Sequence, residues 1–287
     1  LVSYSCGGSD DGISGPPENS GTDPAPDPDD PSDDWRTLYN GIILPSVWPP
    51  KDINISSYEP MKVPYLQTPP EVIPIDVGRQ LFFDNFLIDN TDLVRKFYKP
   101  KKYAQNPILK PETTLETSNI PGASAKDGGV WWEPREQIFK MWYEAGWLNK
   151  MAYATSNDGV NWVRPDLNNG SNELLTCAVV LDYEASDNER YKMFLRSPNA
   201  NATDNAGYCM ISSNGKQWSW FTKTGPCGDR STMFYNPFRK KWVFSIRTLG
   251  VLGNSPHGRA RYYREHSDFL TGAVWTKADV VFWCNAD

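Results

Sequence analysis

Ala154-Thr155-Ser156-Asn157-Asp158-Gly159-Val160-Asn161-Trp162 recurs later in the chain as Ile211-Ser212-Ser213-Asn214-Gly215-Lys216-Gln217-Trp218, with serine and tryptophan six residues apart in both copies. A looser copy starts at His266-Ser267-Asp268 and reaches Trp275. The three tryptophans lie 56 and 57 residues apart. Similarity at a fixed period means that one supersecondary unit has been stacked on itself. The residues ahead of each copy keep the same phase. Val130-Trp131-Trp132 leads through a polar turn into Phe139–Tyr143, Val179-Val180-Leu181 leads into Tyr191–Leu195, and Met233-Phe234-Tyr235 leads into Trp242–Ile246. These short runs are β-branched and aromatic, are broken by Asn, Asp and Gly, and lack a 3.6-residue period.

Each unit therefore reads as an apolar strand, a polar turn, an aromatic strand, a third strand, a tight turn and a Trp-led fourth strand. Four antiparallel strands per repeat is the pattern of a β-propeller blade, so the expected class is all-β, with blades at 120–167, 174–224 and 229–279. Three blades do not close a ring, because propellers have at least four. Residues 71–118, including Gln80-Leu81-Phe82-Phe83-Asp84-Asn85-Phe86-Leu87-Ile88, are expected to add two or three strands. More chain, or a second chain, is then expected to complete the ring, which would have five blades.

Composition separates the first 70 residues from this body at 71–287. Residues 1–34 hold nine acidic side chains and no Lys or Arg, whereas the whole chain carries a net charge of −6, so the rest sums to about +3. Thirteen of the 24 prolines fall between Asp10 and Pro70. Asp23-Pro24-Ala25-Pro26-Asp27-Pro28 cannot bury enough apolar area to offset its ordering entropy, so this acidic, Pro-rich region reads as a disordered stalk. No window approaches the roughly 18 apolar residues of a membrane span, and no basic cluster is dense enough for a nucleic-acid footprint. Of five cysteines, Cys177, Cys209, Cys227 and Cys284 show no C-x-x-C pair and the chain has only two His, so no metal site is expected. Nothing in the pattern implies a cofactor.

Strand direction selects the residues placed for chemistry. If the first strand of each unit is innermost, then Lys126-Asp127-Gly128-Gly129, Glu144–Trp147, Arg196, Gly228-Asp229-Arg230 and Arg247 gather at one mouth of the channel. The Ser-Asn-Asp-Gly turns face the other way. Asp158 is expected to bond the backbone donors of its own turn, and Trp162, Trp218 and Trp275 to pack between strands. Asp127 and Asp229 each open an innermost strand beside glycine, where a carboxylate faces the channel. Glu144 and Trp147 form either a sugar subsite, with one polar contact and one stacking face, or simply the rim.

The span from Lys126-Asp127-Gly128-Gly129-Val130 through Phe139-Lys140-Met141-Trp142-Tyr143 to Trp162 resembles the first blade of the five-bladed propeller glycoside hydrolases of families 32 and 43. Asn106-Pro107-Ile108-Leu109 is similar to a segment found across these propellers, including the mannoside phosphorylases. Cys227-Gly228-Asp229-Arg230-Ser231 falls where they place a second aspartate. The sequence departs from the invertases, which have Asn-Asp-Pro-Asn-Gly at the first position and Arg-Asp-Pro at the second, and it has no matching Glu-Cys-Pro. The resemblance implies a glycoside hydrolase acting on a carbohydrate. Asp127 would be the nucleophile of a retaining enzyme or the general base of an inverting one. Asp229 would hold sugar hydroxyls and stabilise developing positive charge, and Arg230 and Arg247 would tune the two carboxylates.

Two alternatives follow. A mannoside phosphorylase would use Arg196, Arg230, Arg247 and Arg259 for phosphate, and a non-catalytic propeller would only bind glycan. Leu1-Val2-Ser3-Tyr4-Ser5-Cys6-Gly7-Gly8, followed by Ser9-Asp10-Asp11, resembles the signal end and acidic export tag of Bacteroidetes surface lipoproteins. That resemblance implies a lipid on Cys6, an exported cell-surface protein, and membrane contact through the lipid alone.

Overall fold

The apolar runs pair in chain order into three four-stranded antiparallel sheets among the described residues. The computed structural model describes residues 35–37, 43–45, 47–49, 54, 57, 59, 69–75 and 81–285, apart from 119, 126, 168–169, 197–205 and 248–259. All of them belong to one unit, Asp34–Asp287. Cys6 and the acidic stretch around it lie outside the described residues. Within the expected stalk, β1 (Trp35–Thr37) and β2 (Ile43–Pro45) pair as an antiparallel hairpin.

In sheet 1, β3 (Ala123–Ser124) and β4 (Val130–Glu133) lie along one edge of β5 (Ile138–Ala145), with β6 (Lys150–Ser156) along the other. Sheet 2 runs β7 (Ala178–Leu181), β8 (Tyr191–Arg196), β9 (Ala206–Ser212), β10 (Ser219–Pro226) in spatial order. Sheet 3 repeats that order with β11 (Thr232–Asn236), β12 (Lys241–Arg247), β13 (Ala260–His266) and β14 (Val281–Asn285).

The repeated turn has one geometry in its first two copies. Ser156 Oγ accepts the N–H of Asp158 and, at 2.9 Å, of Gly159, while Asp158 Oδ1 accepts the N–H of Val160 and Asn161 at 2.8 and 2.7 Å. Ser212 and Asn214 repeat these bonds on Asn214, Gly215, Lys216 and Gln217. The glycines sit at φ +73° and +74°, backbone that only glycine adopts cheaply. Asp158 therefore has the turn-making role that its position suggested.

The sheets lock to one another through their second strands. Trp142 in β5 is fully buried, and its indole N–H reaches forward to the carbonyl of Gly215 in sheet 2 at 2.7 Å. Phe194 in β8 stacks on Trp275 of the third unit, with ring centroids 6.2 Å apart. A buried polar bridge also joins sheets 1 and 2: Arg190 donates twice to Glu133, at 2.6 and 2.8 Å, and the Tyr191 hydroxyl donates to the same carboxylate at 2.6 Å. Burial alone would raise the Glu133 carboxyl, but these donors hold it down at about 2.

A second network pins the lead-in segment to sheet 1. The short helix α1 (Thr114–Thr117) carries Glu116, fully buried and bonded by the Tyr143 hydroxyl at 2.6 Å and Arg164 Nε at 2.7 Å. Burial pushes Glu116 up, and those donors outweigh it, leaving the carboxyl at about 2.

Three sequence-based expectations are corrected. No strand forms among the described residues of 71–118; Leu81, Phe82, Phe83 and Phe86 lie exposed in irregular chain, so the run buries little of the apolar surface a strand there would need to cover. The third copy of the turn is replaced by α2 (Phe269–Ala273), and the fourth strand of that unit comes after Trp275 rather than at it. His266 Nδ1 still accepts the Asp268 N–H, in the manner of the serines, but Asp268 then caps the helix through Thr271 N–H at 2.7 Å, since no glycine follows to turn the chain. In sheet 1 the expected fourth strand is reduced to isolated bridges from Val163 to Thr155 and from Glu173 to Ala152.

Candidate functional site

The chain between β3 and β4 bends because Gly128 and Gly129 allow it. A Cβ at Gly128 would stand 1.9 Å from the carbonyl oxygen of Trp142, and Gly129 has φ +89°. The bend brings the Gly128 carbonyl to Val179 N–H in β7 at 3.2 Å, and so draws β4 and β7 together. Asp127 stands on this bend. β4, β7 and β11 then line a hollow of about 320 Å³, walled by Asp127, Gly129, Val130, Trp131, Ala178, Val179, Val180, Thr232, Met233 and Phe234. Trp131 is fixed there by its indole N–H, which donates to Val179 O at 2.8 Å. A larger hollow, about 840 Å³, lies among Phe82, Leu87, Leu93 and Val94, but the mostly exposed side chains of one segment form it.

From sheet 3, the turn Gly228–Ser231 reaches the same rim. Gly228 N–H donates to Arg247 O at 2.9 Å, Ser231 Oγ donates to Gly228 O at 2.9 Å, and Arg247 N–H donates to Ser231 Oγ at 3.0 Å. This pinned turn presents Arg230, whose Nη1 bonds Asp127 Oδ2 at 2.6 Å across 103 residues of sequence. Asp229 is ion-paired with Arg247. Arg261, in β13 opposite Arg247, donates from Nη1 to Arg230 O at 2.5 Å and to Ser245 O at 3.3 Å.

Of the residues selected from sequence, Asp127, Asp229, Arg230 and Arg247 thus fall into one linked cluster. Glu144 is buried and accepts the N–H of Leu148 in its own hairpin, and half-exposed Trp147 belongs to that hairpin, where its N–H donates to Ile120 O at 2.9 Å. The side chain of Arg196, and all of Arg259, lie outside the described residues. Arg261 was missed. The signal for it was strand alternation, which sets Arg261 beside Arg247 once β12 and β13 pair. The four body cysteines form no disulfide, and among the described residues no His, Cys, Asp and Glu group could hold a metal ion.

No protein-family profile and no curated protein matches the chain. Among solved structures it is similar to an N-acetylgalactosamine deacetylase from F. plautii, determined with blood group B trisaccharide, at 14% identity and TM-score 0.36, covering 59% of this chain and 54% of that one. It is also similar to a glycoside hydrolase candidate from Bacteroides ovatus at 19% identity and TM-score 0.34, covering 56% and 55%. The chain spans about half the length of each.

Proposed function

We propose that the three sheets are successive blades of a β-propeller and that the chain acts on a glycan at the mouth of its channel, as a glycoside hydrolase with Asp127 as the reacting carboxylate. The observation that carries this reading is the placement of Asp127 at the rim of a hollow between β4, β7 and β11, held by an arginine from two sheets away. A carboxylate fixed in orientation is what a nucleophile or general base needs, because the reacting atoms must already be aligned. Trp131 and Phe234 offer ring surface to a sugar, and Asp229 and Arg247 offer groups for its hydroxyls. Trp147 supplies a further ring face on its hairpin, while Glu144 supports that hairpin. Asp127 is the one carboxylate lining the hollow among the described residues, so the proton donor that hydrolysis requires comes, in this reading, from outside them.

The test is release of reducing ends from a panel of oligosaccharides by the full chain. Asp127→Asn should lower turnover at least ~100-fold with little change in melting temperature. Turnover that survives this change removes Asp127 from the chemistry. One observation favours a second reading: both aspartates are already engaged by arginines. Glycan binding by the native chain with no turnover on any member of the panel would select a binding propeller instead. In the same proposal Cys6 carries a lipid and the chain works at the cell surface. Incorporation of a fatty-acid probe should then disappear in Cys6→Ala.

A further inference from the structure

We infer that the rim cluster of Arg230, Arg247 and Arg261 takes a carboxylate or sulfate borne by the glycan, so that the substrate is an acidic sugar chain. This rests on the glycan reading above and adds the charge of the ligand to it. Three guanidinium groups and two carboxylates, Asp127 and Asp229, meet there, and among the described residues the cluster carries a net charge of +1. Arg261 gives that charge without a carboxylate partner in the cluster, since its Nη1 bonds to the rim go to the carbonyls of Arg230 and Ser245.

The side chain offered to the ligand is that of Arg230. Its backbone sits at φ +58°, in the left-handed region that a side chain makes costly. Gln137, Leu148 and Lys240 share this feature, but each lies in the tight hairpin of two paired strands, where turn geometry accounts for it. Arg230 lies in no hairpin. The pinned turn and the Arg261 bond to its carbonyl hold it there, and the result is a guanidinium beside the hollow. Asp127 occupies Nη1 only. Nε and Nη2, the edge that binds a planar or tetrahedral oxyanion through two parallel bonds, have no partner among the described residues, and the side chain is 36% exposed. The ion pair fixes the plane of that fork in advance, so little ordering is left to oppose binding. A neutral sugar uses none of this.

The experiment presents the full chain with matched pairs: galacturonic acid oligosaccharides against their methyl esters, and sulfated against desulfated glycosaminoglycan fragments. The acidic member of at least one pair should bind about tenfold tighter or more, with the difference shrinking as salt rises. Arg230→Gln should abolish the preference. Arg230→Gly should abolish it as well, and because glycine suits the left-handed backbone, this variant tests the side chain without adding backbone strain. Equal affinity within every pair, or preference for the neutral members, overturns the inference and leaves the glycan reading standing. Binding of inorganic phosphate that competes with no glycan assigns the cluster to a free anion and likewise overturns it. Retention of no glycan at all overturns both.

Discussion

At the scale of single residues, the repeated turn and the bend before β4 make the sharpest predictions. Asn214 performs in the second copy what Asp158 performs in the first, so Asp158→Asn should leave the melting temperature and the circular dichroism spectrum unchanged. Ser156→Ala removes the acceptor shared by two backbone N–H groups and should cost about 1 kcal/mol in urea denaturation. Gly128 tolerates no side chain, because its Cβ would overlap the Trp142 carbonyl. Gly128→Ala should therefore lose about 3 kcal/mol or more, or fail to accumulate as folded protein; near-wild-type stability would show that the bend can relax. The Asx turns were legible in sequence because their bonds are local. The Asp127 contact with Arg230 was legible only in part: strand direction brought both to one mouth, but the contact itself spans three sheets and depends on a turn that no local signal specifies.

At the scale of elements, sheets 1 and 2 meet through the Glu133 and Arg190 pair, which is buried on both sides. Arg190→Met strands a carboxylate in the interior and should destabilise the chain by about 3–5 kcal/mol. Adding Glu133→Gln to that variant should recover much of the loss, and a double-mutant cycle in urea reads the coupling. Period and turn chemistry revealed most strands in the three sheets. They missed α2 because the third copy of the turn keeps its Asp but lacks the glycine, and a capping aspartate without a glycine behind it starts a helix as readily as a hairpin. They also misread Leu81–Ile88, whose apolar side chains stay mostly exposed: an apolar run becomes a strand only where a sheet face covers it, and that is a property of the rest of the fold rather than of the run.

At the scale of the whole molecule, Glu116 and Glu133 place two buried carboxylates in the same titration window. Their folded values, about 2, lie below the ordinary 4.5, so the stabilisation they give is fully present above about pH 4.5 and is lost as pH falls towards 2. Each accounts for on the order of 3 kcal/mol. The urea midpoint should fall steeply between pH 4.5 and 2.5, and Glu133→Gln should flatten that slope while lowering the midpoint at pH 7; a midpoint that stays level in the wild type across this range contradicts the assignment. The succession of sheets was readable from a single spacing, whereas the networks that join them were not, since Glu133 and Glu116 look like surface residues until Arg190 and Arg164 fold over them.

The bond from Trp142 to Gly215 has a consequence during synthesis. The indole N–H finds its acceptor only when a carbonyl 73 residues further along has left the ribosome. At roughly 5–20 residues per second, that is about 4–15 s in which a nascent chain holding sheet 1 lacks the acceptor that completes its tryptophan. Sheet 1 is thus left incomplete until sheet 2 is made, and a chain stopped between Ser156 and Gly215 should show a solvent-accessible Trp142 by tryptophan fluorescence quenching, which the full chain should lack.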